Sequence, residues 1–228
     1  KVDAMGYDGV EFAGYFDTPA NVLRDVLDEA GLEIAGTHIG VDGLKNDLEN
    51  VVNYAKAIGC TNITCPGFWG VDLKSEKTFH DFADFFNKIG EQLRKEGFFF
   101  QYHIHGHEFE KFGSQNGMEI IISETLPENF SLQLDTYWVE SAGLDCLEFL
   151  QKYGNRTGSL HMKDMQDKKT MKDVEVGNGA LDVPALVETA RKFDIPWLTV
   201  EQEQFDRPTM ESVEISLRNL RCIIGVEQ

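Results

Sequence analysis

The feature that most constrains this chain is a strict alternation of short apolar runs with amphipathic segments. Runs that read as buried strands lie at Gly9–Phe12, Glu33–His38, Asn62–Cys65, Phe98–His103, Leu132–Asp135, Gly158–His161 and Trp197–Glu201. Between them apolar residues recur at three- and four-residue spacing, as in Val22/Leu23/Val26/Leu27, Phe79/Phe82/Phe85/Phe86/Ile89 and Leu217/Leu220/Ile223. That spacing is the pattern of helices burying one face. Asp17-Thr18-Pro19 and Asp182-Val183-Pro184 have the residues of helix starts, and Gly31 and Gly59 those of helix ends. Seven β/α units in this order call for a parallel sheet, because each parallel neighbour needs a crossover and the helices supply it. An open doubly wound sheet would carry a glycine-rich phosphate loop after its first strand, and no G-x-G-x-x-G or Walker motif is present. The expected fold is therefore α/β, a (β/α)8 TIM barrel forming a single domain over residues 1–228. Its first strand is expected to precede Lys1, with Val2–Gly6 as the tail of the first helix.

Charge and cysteine usage narrow the class of partner. The formal net charge is −18, from 39 acidic and 21 basic residues, a balance that repels phosphate backbones and argues against nucleic acid. Cys60, Cys65, Cys146 and Cys222 are scattered without a C-x-x-C pair, which suits a reducing, cytoplasmic compartment better than a disulfide framework or a zinc ribbon. No apolar run reaches membrane-spanning length, so no membrane partner is expected. No signal peptide is visible, and a start at Lys1 in place of a methionine suggests a preceding segment.

At the C-terminal ends of these strands stand Glu11, His38, His103 with His105 and Glu108, Asp135, His161 with Lys163 and Asp164, and Glu201 with Glu203. Taken singly, most have a plain explanation: Asp135 or Asp164 as a helix N-cap, Glu11 as a partner for a rim lysine, a lone histidine as a hydrogen-bonded surface group. Their recurrence on strand after strand favours a site, since a barrel gathers all these ends on its catalytic face. Mixed carboxylates and imidazoles suit a divalent ion such as Mn2+, Co2+, Mg2+ or Zn2+. Such an ion can hold adjacent oxygens of a polyol, polarise a carbonyl and stabilise an enediolate, while spare carboxylates transfer protons. His38 would supply hydrogen bonds to a sugar, and Trp69 and Trp138 either an apolar platform or plain loop packing.

The motifs Tyr102-His103-x-His105-x-x-Glu108-Phe109, Leu134-Asp135-Thr136-Tyr137-Trp138, His161-Met162-Lys163-Asp164-Met165, Val176-Gly177-x-Gly179 and Val200-Glu201-Gln202-Glu203 together resemble the sugar phosphate isomerase/epimerase family of xylose-isomerase-like barrels, relatives of ketose 3-epimerases and inosose dehydratases. The resemblance spans essentially the whole chain. It implies one divalent metal, Mn2+ first, held by Asp135, His161, Glu201 and a fourth ligand, for which Glu108 is the first choice and His103 the second. It casts His105 and His103 as proton-transfer or substrate groups and Lys163 as an oxyanion or substrate contact. Glu201 would serve as both ligand and base, and Glu11, His38, Trp69, Trp138 and Glu203 would bind substrate. Many relatives have asparagine where Ile104 stands, so the sugar is left open. The expected activity is metal-dependent isomerisation or epimerisation of a sugar or polyol through an enediolate. The alternative is a lyase, either an inosose-type dehydratase or an enzyme cleaving 3-keto-glycosides or C-glycosides. A non-catalytic sugar-binding subunit ranks below both, and an abasic-site endonuclease conflicts with the charge. Analogy with these relatives also suggests a homo-oligomer.

Overall fold

The computed structural model describes residues 1–225. Helix α1 covers Val2–Met5, followed by β1 (Gly9–Phe12), α2 (Ala20–Ala30), β2 (Glu33–His38), α3 (Val41–Asn46), α4 (Leu48–Ile58), β3 (Asn62–Cys65), α5 (Glu76–Lys95) and β4 (Phe99–His103). A two-residue hairpin, β5 (Lys111–Phe112) and β6 (Gln115–Asn116), leads into α6 (Gly117–Glu124) and β7 (Ser131–Asp135). Then come α7 (Thr136–Ser141), α8 (Cys146–Tyr153), β8 (Thr157–Met162), the short β9 (Asp164–Met165) and β10 (Asp173–Val174), α9 (Val183–Lys192), β11 (Leu198–Val200) and α10 (Thr209–Ile224).

The chain divides into two compact units, Asp8–Leu132 and Lys1–Tyr7 together with the chain from Gln133 onward. In the first, β1, β2, β3 and β4 pair in chain order, all parallel. In the second, β8 pairs in parallel with β11, and β9 and β10 form an antiparallel ladder. The seven strands expected from the apolar runs are all present. The helix signals hold as well: Gly31 and Gly59 cap α2 and α4 in the left-handed conformation, and Asp182 caps α9 through Ala185 N–H with proline in its first turn. Glu201 falls one residue beyond β11, although its N–H still reaches Met162 O at 3.2 Å.

The core of the first unit is aromatic. Phe86 lies at 4.9 Å from Phe130 in a stacked pair and at 5.0 Å from Tyr102, and Phe68 stacks on Phe82 at 3.8 Å. Helix α5 packs closely on the loop between α6 and β7, because Gly90 faces the backbone of Asn129, leaving no room for a Cβ beside that carbonyl. Gly90→Ala is therefore expected to destabilise the protein by about 2–3 kcal/mol, despite alanine's better helix propensity, by forcing α5 away from the loop that carries Asn129. Urea unfolding measures this, and an unchanged midpoint would show that the helix shifts freely.

Candidate active site

Two groups of strand-end side chains are assembled, one in each unit. In the second unit, β7 ends on Asp135, which is fully buried. Its Oδ1 accepts from Trp138 N–H at 2.8 Å and so caps α7, while Oδ2 is buried with no hydrogen-bond partner. Burial first, and the neighbouring Glu201 charge second, push the Asp135 carboxyl up to about 7, against the opposing pull of His161 and Lys163. His161 sits on β8 with its Nδ1 against Glu201 Oε2. Ligand atoms of Asp135, His161 and Glu201 lie within 4.8 Å of one another. An imidazole and two carboxylates at this spacing, one oxygen orphaned in the interior, fit a divalent cation.

Lys163 follows β8 and is buried. Its Nζ lies 3.0 Å from Glu203 Oε1, 3.8 Å from Glu201 Oε1 and 4.0 Å from Asp173 Oδ2, and farther out over two aromatic rings, 4.9 Å from the Tyr137 ring centre and 5.0 Å from that of Trp138. Burial would lower its pKa, but Asp135, Glu201, Glu203 and Asp173 outweigh that and hold it above the usual lysine range. The lysine is thus a fixed ammonium, suited to steadying negative charge and unsuited to nucleophilic attack. Thr136 secures its backbone, accepting from Lys163 N–H at 3.0 Å and donating to Lys163 O at 2.7 Å.

In the first unit, Glu11 and His38 meet at 3.6 Å between Oε2 and Nε2. Room for the Glu11 carboxylate comes from Gly36, where a Cβ would stand 2.8 Å from Glu11 Oε1, and from a bulge in the β1/β2 register between Val10 and Glu11. His38 is 5.4 Å from His103 and His103 is 4.6 Å from His105, ring centre to ring centre. Trp69 is largely exposed and meets His105 edge-on at 6.1 Å.

Glu108 has different surroundings. Gly106, at φ 91°, turns the chain into a single 3₁₀ turn at His107–Phe109. That brings the Glu108 carboxylate back beneath the end of β4, where it is fully buried. It accepts from Tyr102 Oη at 2.6 Å and from His105 N–H at 3.2 Å, and lies 3.1 Å from His107 Nε2. Burial would raise its pKa, but His107 and Tyr102 outweigh it and hold the carboxyl below the ordinary range. Both oxygens are therefore occupied by protein donors.

Asp173, beside Lys163, escapes sequence reading because it sits in a strand too short to show periodicity. Tyr102 stands in a motif legible in the sequence, but its hydrogen bond to Glu108 is not legible there. The Tyr102/Glu108 separation along a tight glycine turn is a signal that could have found that pair.

A family model of the xylose isomerase-like TIM barrel matches residues 1–222, and the chain belongs to that family. Its alternating strands and helices are those of a TIM barrel with seven main strands among the described residues. The chain is 28% identical over 183 residues to an inosose dehydratase of Mesomycoplasma hyopneumoniae, a match covering 72% of this chain and 60% of the relative's length. Its fold is similar to that of a sugar phosphate isomerase/epimerase of Parabacteroides distasonis, with TM-score 0.83, 22% identity, and 98% and 86% of the two chains covered. It is also similar in fold to an L-ribulose 3-epimerase, with TM-score 0.76, 15% identity, and coverage of 97% and 86%. Among the described residues no helix is long and apolar enough to cross a membrane.

Proposed function

We propose that this chain is a divalent-metal-dependent enzyme that removes a proton from the carbon beside the carbonyl of a sugar or polyol ketone. The observation that carries the reading is Asp135 Oδ2, an acceptor fully buried without a donor beside His161 and Glu201. An unmatched interior carboxylate oxygen is costly unless a cation resolves it. Asp135, His161 and Glu201 would hold the ion, Mn2+ first among Co2+, Mg2+ and Zn2+. When bound, the ion would polarise the carbonyl and hold the adjacent hydroxyl.

The fourth ligand we propose is His103 and not Glu108, whose oxygens are engaged by Tyr102, His105 N–H and His107. Glu108→Gln is then expected to keep about one equivalent of Mn2+, and His103→Asn to weaken binding by at least about 10–100-fold. Titration of Mn2+ into the metal-free variants checks this. Loss in Glu108→Gln with retention in His103→Asn would reverse the assignment.

Glu201, the only one of the three ligands with appreciable solvent access, would take the proton, and Lys163 would steady the negative charge left behind. His105, with His103 nearby, would return the proton or meet a hydroxyl. Glu11, His38, Trp69, Trp138 and Glu203 would orient the substrate. Returning the proton makes an isomerase or epimerase, the reading preferred here. The second reading, loss of a β-hydroxyl as water, is favoured by the likeness to an inosose dehydratase. Incubating the Mn2+-loaded protein with a ketose panel and with inosose separates them. A new epimer or aldose supports the first outcome and a dehydrated, ultraviolet-absorbing product the second. No change in any substrate would overturn both and favour a sugar-binding subunit. The reading treats residues 1–228 as one catalytic domain in the cytoplasm, where its free cysteines would stay reduced. It takes the chain to be a homo-oligomer without nucleic-acid or membrane partners.

A further inference from the structure

We propose that Asp173 is a positioning residue that sets Glu203 against Lys163 and thereby fixes the ammonium beside Glu201; this rests on the functional reading above and deepens it. Asp173 is buried on β10. Its Oδ2 accepts from the N–H groups of both Glu203, at 2.7 Å, and Gln204, at 3.1 Å, and stands 4.0 Å from Lys163 Nζ. Glu203 needs such a clamp. Its side chain is 53% exposed, yet Oε1 lies 3.0 Å from a fully buried ammonium. An exposed glutamate on a free loop would gain little from that pairing after losing its side-chain freedom. With its backbone fixed by two charge-assisted hydrogen bonds, the carboxylate is delivered to one place.

Asp173 is itself held. The Asp164 carboxylate accepts from the N–H groups of Met165 at 2.8 Å, Gly177 and Gly179 at 3.0 Å and Leu181 at 3.2 Å. These bonds close the loop that carries β10. Gly179 lies so near Asp164 and Met165 O that a Cβ has no space, which gives the Val176-Gly177-x-Gly179 motif a structural reason. A continuous set of contacts therefore runs from Asp164 through its loop to Asp173, then to Glu203 and Lys163. A loop staple with no catalytic consequence would look the same up to Glu203. The contact with Lys163 is what separates the two.

The test compares Asp173→Ala and Asp173→Asn in the full chain loaded with Mn2+. Amide hydrogen exchange at Glu203 and Gln204 is read beside kinetics on whichever of inosose or the ketoses the parent turns over. Asp173→Ala should exchange faster at both amides and lose on the order of 10–100-fold in kcat with KM little changed. Asp173→Asn keeps an oxygen that accepts the same N–H groups, so it should restore both readouts. Unchanged exchange in Asp173→Ala, unchanged kcat, a loss confined to KM, or an Asp173→Asn variant as impaired as the alanine would each overturn the inference. Should Asp173→Ala not fold, Asp173→Ser takes its place, its hydroxyl being too short to reach both amides. If the parent turns over no substrate, the functional reading fails, and the exchange pattern with its recovery in Asp173→Asn decides the clamp alone.

Discussion

Asp135→Asn is expected to abolish metal binding while making the metal-free protein more stable. An asparagine keeps the oxygen that caps α7 through Trp138 N–H, a role in which asparagine and aspartate are equivalent. It removes a charge from a fully buried position whose surroundings resist that charge, pushing the carboxyl up to about 7 through burial and the Glu201 carboxylate. Relief of that burden should raise stability by about 1–2 kcal/mol, seen by urea unfolding in the presence of chelator. The neutral amide is a far poorer ligand, so bound Mn2+ should fall from about one equivalent to near zero by elemental analysis. Turnover should fall by about a thousandfold or more, the several kcal/mol a Lewis acid supplies. A gain in stability with loss of function is the mark of a residue kept for chemistry at the expense of folding. Retained metal, or a clear loss of stability in chelator, would contradict that role.

Lys163→Met is expected to have the opposite effect on folding. Methionine keeps the stem packed near Tyr137 and Trp138 but removes the ammonium that faces Glu203, Glu201 and Asp173. Those carboxylates, with the buried Asp135 close by, would repel one another in a medium that screens poorly. Breaking a buried charge pair from one side costs about 3–5 kcal/mol. Glu203→Gln, on a half-exposed side chain, should cost less than about 1 kcal/mol. Added Mn2+ should recover part of the Lys163→Met loss, because it returns positive charge to the same carboxylates. Equal stabilities for Lys163→Met and the parent in chelator would mean the lysine does not neutralise the cluster.

The architecture was legible because strand and helix periods are properties of the local chain. Strands β1, β2 and β3 match the expected runs residue for residue, and β4, β7, β8 and β11 differ by one residue at one or both ends. The hairpin β5–β6 and the ladder β9–β10 were not legible, since two-residue strands carry no period and are held by neighbours distant in sequence. For the site, position along the chain was legible and partnership was not. Asp135, His161 and Glu201 stand together as their shared place at strand ends suggested. Glu108 has the chemistry of a ligand, but the Gly106 turn folds it onto Tyr102 and His107, a reversal marked in the sequence only by the glycine between Tyr102 and Glu108. Asp173 was invisible for a related reason: its importance lies in two backbone N–H groups thirty residues away, and backbone donors leave no mark in a sequence.

The most direct measurement of metal-dependent proton removal is solvent isotope exchange. The Mn2+-loaded protein is incubated in deuterium oxide with inosose and a panel of ketoses, and the recovered sugars are read by mass spectrometry and proton NMR. The expected result is deuterium at the carbon beside the carbonyl of at least one substrate or its product, lost on chelation and in Asp135→Asn and restored by Mn2+ in the parent alone. No deuterium in any substrate with one equivalent of Mn2+ bound, or exchange that survives chelation, would contradict it.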